Sequence, residues 1–368
     1  MLYYLSQMTG WISELRVFQY VTFRAIGAAL TALLICILSG PWVIRKLTEL
    51  KMGQPIRGKD DLGDLAGKHG AKAGTPTMGG LLILWEVVDA TLLWARTDNV
   101  LVLLSLATVV VLGFVGFLDD YWKVTKKSAD GVSARFKLVA QAALGMAVGL
   151  HLISHTHFGQ VARQLFVPFV KEPLVADLGI LMIVWMALVV VSSSNAVNLT
   201  DGMDGLAIGC TLVVAMVYAV MSYAAGHAKL AAYLAVPFVP GAAELTVVCA
   251  ALIGASLGFL WFNCHPAQVF MGDTGSLAIG GLIGMVALMI KQEVVLVIVG
   301  GVFVMEAMSV VLQVAGCKLK GKQYRMFRRT PIHHHFEHLG WPETKITARF
   351  WVLSVIFGLM GLATLKLR

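Results

Sequence analysis

Charge is scarce in this chain. Asp, Glu, Lys and Arg make up 14% of its 368 residues, against about 25% in soluble domains. That excludes a disordered chain and an ordinary cytosolic enzyme. Cysteine is also sparse: Cys36, Cys210, Cys249, Cys264 and Cys317 are widely spaced and form no CxxC pair. They suggest neither a disulfide framework nor a zinc site. No GxxxxGK[ST] segment occurs, so the chain is not a P-loop protein. The N-terminus lacks a basic stretch, short apolar core and small-residue cleavage site in sequence, and is read as retained.

Apolar residues are abundant. They make up 58% of the chain, and the mean hydropathy is +0.79. A membrane-spanning helix needs about 20 mostly apolar residues. Ten stretches qualify: 20–43, 77–95, 99–118, 136–154, 174–195, 204–226, 244–262, 274–290, 293–316 and 346–366. The expected fold is an all-α polytopic membrane protein, a single integral-membrane domain over 1–368. Ten spans place both termini on one side. Loops 44–76, 119–135 and 317–345 then share the other side and carry 18 of the 29 Lys and Arg residues. The bias of basic residues toward cytoplasmic loops makes that side cytoplasmic and the termini external.

Four polar motifs fall on the same side: LDDYWK (118–123), NLTDGMDG (198–205), NCHPAQVFMGDTGS (263–276) and PIHHHFEH (331–338). Asp119 and Asp120 end the third span, and adjacent carboxylates need a cation beside them. They are not the DDxxD of soluble prenyl synthases, because Lys123 stands where its third Asp would be. Asn198, Asp201 and Asp204 recur every three residues and would form a polar stripe on a helix. Asp273 precedes the eighth span, where an Asp often caps orphan helical N–H groups. Asn263 and His265 begin the same loop. His333, His334 and His335 are consecutive and splay apart, unlike the i, i+4 pair that shares a metal. They suit hydrogen bonds to phosphate or sugar oxygens.

Carboxylates alone repel a phosphate. With Mg²⁺ they bind it, since that ion prefers one or two carboxylates plus phosphate oxygens, and Lys and Arg complete the neutralisation. The residues therefore point to Mg²⁺-dependent phosphoryl chemistry at the cytoplasmic membrane surface, with one lipid substrate. Asp273, helped by Asp120 or Asp201, would hold the ion, and Asp119 would serve as a base or orienting group. A transporter is the rival class. Most carboxylates lie at span ends rather than at the bilayer midplane, which favours an enzyme. Glu86, Asp89 and Glu306 lie within spans and are functional candidates on that ground.

At these motifs, and at KAGTPTMGG (72–80), the chain resembles the polyprenyl-phosphate N-acetylhexosamine-1-phosphate transferases, glycosyltransferase family 4. TPTMGG and PIHHHFE resemble the phospho-N-acetylmuramoyl-pentapeptide branch and argue against a sibling that handles UDP-GlcNAc. The resemblance implies transfer of phospho-MurNAc-pentapeptide from UDP-MurNAc-pentapeptide to undecaprenyl phosphate, giving lipid I and UMP. This is the first membrane step of bacterial peptidoglycan synthesis. It further implies ten spans with periplasmic termini in the inner membrane, a homodimer, and no nucleic-acid partner. By motif, Asp119, Asp120, Asp201 and Asp273 match the family's catalytic acids. Lys72, Thr77, Lys123, Lys127, Lys137, Asn198, Asp204, Asn263 and His333 to His335 match substrate-binding positions. Glu306 is expected to line a lipid groove, because the family's ninth helix is bent. Attack by the lipid phosphate on the sugar-side phosphate is the expected mechanism, with a covalent aspartyl intermediate as its competitor.

Overall fold

The computed structural model describes residues 1–8, 13–50, 52, 74–126, 131–155, 158–321 and 323–366. Lys72 and Lys127 lie outside them. Ten long helices carry the fold: α1 Val21–Glu49, α2 Gly80–Trp94, α3 Val100–Lys126, α4 Ala134–Ser154, α5 Leu181–Thr200, α6 Leu206–Ala225, α7 Leu245–Asn263, α8 Gly272–Met289, α9 Gly301–Lys320 and α10 Glu343–Ala363. No strand occurs among the described residues. Nine of these helices are long and apolar enough to cross a membrane. The exception, α2, has 15 residues, or about 22 Å of helix at 1.5 Å per residue.

The fifth span is shifted along the chain, to Leu181–Thr200 from the expected 174–195, and three other boundaries differ from expectation for physical reasons. The second span begins at Gly80 rather than at residue 77. Residues 76–79 lie outside the helix, with Met78 in the left-handed region at φ 70°, and pair with the loop before α8: Phe270 N–H donates to the Pro76 carbonyl at 2.9 Å, and Gly79 N–H to the Phe270 carbonyl at 2.8 Å. Helix α3 runs on to Lys126 instead of stopping at residue 118, so Asp119 and Asp120 are helical residues rather than the start of a loop. The ninth span breaks at Gly300, between a short turn at Leu296–Val299 and α9.

The core is built around α8. Of its eighteen residues, only Asp273 is not buried. Helices α3 and α5 pack on it, and α1 lies against α7. A helix this deeply enclosed needs both ends of its dipole compensated. At its N-terminus Asp120, from α3, accepts from Thr274 N–H at 2.9 Å and Thr274 Oγ1 at 2.7 Å. Beyond its C-terminus lies the buried Lys291, whose Nζ is 3.1 Å from Glu293. Far along the chain, Arg24 and Glu244 meet through two 2.6 Å hydrogen bonds and tie α1 to the entry of α7.

Candidate functional site

The convergence of acids expected from the motifs is present at the N-terminal end of α8. One carboxylate oxygen each from Asp119, Asp120 and Asp273 lies within 4.8 Å of the other two. Asp119 is fully buried and Asp120 nearly so. Two lysines bridge the outer pair. Lys123 Nζ is 2.6 Å from Asp119 Oδ2 and 3.2 Å from Asp273 Oδ2. Lys137, at the start of α4, is 3.0 Å from Asp273 Oδ2 and 3.4 Å from Asp119 Oδ1. The α3 helix makes this possible, because residues 119 and 123 are one turn apart on one face. Asp119 also accepts from Val132 N–H at 2.8 Å, which pins the entry of α4 to the cluster.

The cap of α8 is a correction to the sequence reading. Asp273 does not cap its own helix. Asp120 supplies the cap from α3 and also accepts from Asp273 N–H at 3.2 Å. Asp273 is thereby free to turn outward. Its Oδ1 accepts from Asn198 Nδ2 at 2.9 Å, and Asn198 also donates to Ser276 Oγ at 2.8 Å.

The polar stripe of 198, 201 and 204 is also corrected. Helix α5 ends at Thr200, so the three side chains diverge. Asn198 faces α8. Asp201 stands beside the acidic cluster and accepts a backbone hydrogen bond from Gly272. Loss of solvent, reinforced by Asp273 and Asp120, pushes the Asp201 carboxyl up to about 8. Asp204 turns to a different group, with His265 Nδ1 at 3.0 Å and Glu343 Oε2 within 3.7 Å of the same histidine. That group staples the turn before α6 to the start of α10: Glu343 Oε1 also accepts from Asp204 N–H at 2.8 Å.

Thr77 is buried beside Gly272. Asn263 uses both ends of its amide on backbone. Its Oδ1 accepts from Gly205 N–H at 3.0 Å and its Nδ2 donates to the Val269 carbonyl at 2.8 Å. Here it holds two loops in place. Replacing Asn263 with Leu should cost about 2 kcal/mol, the sum of two buried hydrogen bonds at roughly 1 kcal/mol each. Thermal unfolding of the detergent-extracted protein measures that loss, and an unchanged Tm would refute the stapling role.

The three histidines have three different partners. His333 is fully buried against Glu306, Nδ1 to Oε2 at 3.0 Å. His334 Nδ1 is 3.1 Å from Glu337, and burial lowers its imidazolium below the ordinary range. His335 Nδ1 accepts from Arg328 N–H at 3.2 Å. Glu306 thus faces the interior, in place of the groove-lining position expected for it. Glu86 and Asp89, three residues apart on α2, have separate surroundings. Glu86 is buried and accepts from Ser39 at 3.3 Å, whereas Asp89 is exposed and bonds to Trp85.

Three features were missed in the sequence: Asp120 as a cap for a distant helix, Gln313 as a staple, and the Glu306–His333 pair. Gln313 donates to the Tyr324 carbonyl at 2.8 Å and accepts from Met326 and Phe327 N–H at 3.0 Å each. A Gln and a Glu two turns apart in an apolar helix were the available signal for the last two.

Known proteins resemble the chain along its whole length. The sequence profile described as glycosyl transferase family 4 matches residues 102–291, from α3 to just past α8. The first phospho-N-acetylmuramoyl-pentapeptide-transferase signature matches residues 72–84. A phospho-N-acetylmuramoyl-pentapeptide-transferase of Methylacidiphilum infernorum is 54% identical over 368 residues, all of both chains. One from Maridesulfovibrio salexigens is 50% identical over 367 residues, 100% of this chain and 99% of the relative.

Proposed function

The chain belongs to the phospho-N-acetylmuramoyl-pentapeptide transferase family, and from that premise we propose that it transfers phospho-MurNAc-pentapeptide from UDP-MurNAc-pentapeptide to undecaprenyl phosphate. The products are lipid I and UMP. The observation that carries this reading is the cluster of Asp119, Asp120 and Asp273 with Lys123 and Lys137 between them. In this reading the whole chain is one transfer domain with ten spans, α2 and the segment leading into it supplying the tenth. It sits as a homodimer in the bacterial inner membrane, with termini periplasmic and the site cytoplasmic.

Charge counting supports a metal. Three carboxylates against two ammonium groups leave a net of −1, and the Asp201 carboxyl, pushed up to about 8, adds less negative charge than an ordinary carboxylate. Such a site repels phosphate. A divalent cation reverses the sign, and the all-oxygen, hard donor set suits Mg²⁺ rather than zinc. Asp273 is the best placed ligand, with Asp120 and Asp201 beside it. Bound there, Mg²⁺ would neutralise the diphosphate of the donor substrate.

The residues then divide the work. Undecaprenyl phosphate, with a second pKa of about 6, is mostly dianionic at neutral pH and needs little deprotonation. The bond that forms joins its oxygen to the sugar-side phosphorus; the bond that breaks releases UMP. Lys123 and Lys137 stabilise the charge that develops between them. Asp119 is fully buried and engaged by Lys123, Lys137 and Val132 N–H. A carboxylate so held orients the lysines and makes a poor nucleophile, which favours direct attack over an aspartyl intermediate. Accumulation of a phospho-enzyme with UDP-MurNAc-pentapeptide alone would reject direct attack.

The test of the function is release of UMP that requires both undecaprenyl phosphate and Mg²⁺, with lipid I as product. Product from UDP-GlcNAc instead would reject it. The raised Asp201 carboxyl adds a pH dependence. Below about 8 it holds a proton that Mg²⁺ must displace. Apparent Mg²⁺ affinity should therefore rise from pH 6 toward 8 and level off above, by up to about tenfold per pH unit for one proton released. Mg²⁺ titrations of initial rate at several pH values measure it; an affinity independent of pH would remove Asp201 from the ligand set.

A further inference from the structure

Two buried groups stand outside the mechanism described above. Glu306, on α9, and His333, at the start of the short helix Ile332–His338, are both fully buried and meet at 3.0 Å. Glu306 Oε2 also lies 3.5 Å from the His333 backbone N. The contact spans 27 residues of sequence and joins α9 to the helix that carries all three histidines. On the opposite side of the ring, Nε2 is buried and has no hydrogen-bond partner among the described residues. Nε2 packs on Gly202, where an added Cβ would lie 2.3 Å from it. Gly202 follows Asp201 directly, so the unpaired nitrogen borders the turn that abuts the acidic cluster.

A buried ring nitrogen left unpaired is costly, because it has given up its hydrogen bond to water. A carboxylate on Nδ1 dictates which nitrogen bears that cost, because it keeps the Nδ1 proton and leaves Nε2 facing Gly202. We propose that Glu306 is a positioning residue: it holds His333 so that Nε2 meets a phosphate oxygen of the donor substrate at the 201–204 turn. The inference rests on the transferase reading above. As the anion approaches, Nε2 takes up a proton from solvent and donates that N–H to the phosphate oxygen, while the Glu306 carboxylate behind Nδ1 offsets the charge of the ring. Gln313, two turns further along α9, anchors residues 324–327. One face of α9 thereby fixes both the basic segment and the histidine helix.

The test uses the full chain in nanodiscs, with UDP-MurNAc-pentapeptide and undecaprenyl phosphate. Wild-type turnover is the control: without it the functional reading fails, and the positioning claim with it. Given turnover, Glu306→Leu should lower kcat/KM for the UDP substrate by about tenfold to a hundredfold, the cost of a misplaced contact. Glu306→Gln, which still offers an oxygen to Nδ1–H, should recover most of that loss. Glu306→Leu should add nothing further in a His333→Ala background, read as substrate binding where turnover is too low. Additive losses would overturn the proposal, as would Gln being no better than Leu. If Glu306→Leu cannot be extracted, a second pair decides. His333→Gln places an amide nitrogen near the Nε2 position, while His333→Asn can only satisfy Glu306. Gln should retain more transfer than Asn; equal or reversed losses would overturn it.

Discussion

Asp273→Asn is expected to lower kcat for lipid I formation by about 10³-fold or more, at saturating Mg²⁺, the scale of removing one electrostatic stabiliser from a reacting centre. The change is small in volume and keeps an oxygen for the 2.9 Å bond from Asn198. It removes the charge that draws Lys137 to 3.0 Å and Lys123 to 3.2 Å. It also removes the one cluster carboxylate not already engaged in capping or buried at α3. The fold should survive, because α8 is capped by Asp120 and not by Asp273. The variant should thus extract in normal yield with a Tm near wild type. Asp120→Asn makes the contrast: it weakens the cap and should lose stability as well as turnover. Residual transfer by Asp273→Asn within tenfold of wild type would reject a central role for this carboxylate.

The same contrast shows what the sequence could reveal. Spans were legible because lipid leaves the backbone few options, so a run of about 20 apolar residues reads directly as a helix. The convergence of Asp119, Asp120 and Asp273 was legible because sidedness alone sends their loops to one face. Pairing within that face was not legible. Asp120 caps a helix 153 residues away, and no local pattern encodes a cap supplied by another element. The 198–201–204 stripe misled for a related reason: the spacing suits a helix, but the helix stops at Thr200, and Asp204 joins His265 and Glu343 instead. Asn263 was read as a substrate contact from its motif, and in the fold its amide is used on backbone. A polar residue in a functional motif can serve the loop that presents the site.

Gly116 is where fold and site depend on one atom's absence. It lies one turn before Asp120 on α3, against the first turn of α8. A Cβ at this position would sit 2.2 Å from the Asp273 carbonyl oxygen and 2.6 Å from Thr274 Cα. Both are backbone atoms, so no side-chain rotation relieves the overlap. Gly116→Ala must push α3 from α8, and the displacement falls on the residues that hold the cluster together. Thr274 N–H and Oγ1 would draw away from Asp120, and Asp273 from Lys123. Overpacking of this kind costs about 3 kcal/mol in stability. Transfer should fall by about a hundredfold even in the folded fraction, since a shift near 1 Å is enough for such a loss. Extra Mg²⁺ should not restore it, because the ligands are misplaced and not merely undersaturated. Near wild-type turnover and Tm in Gly116→Ala would show that α3 and α8 are not in this close contact, and the carboxylate cluster built on that contact would fall with it.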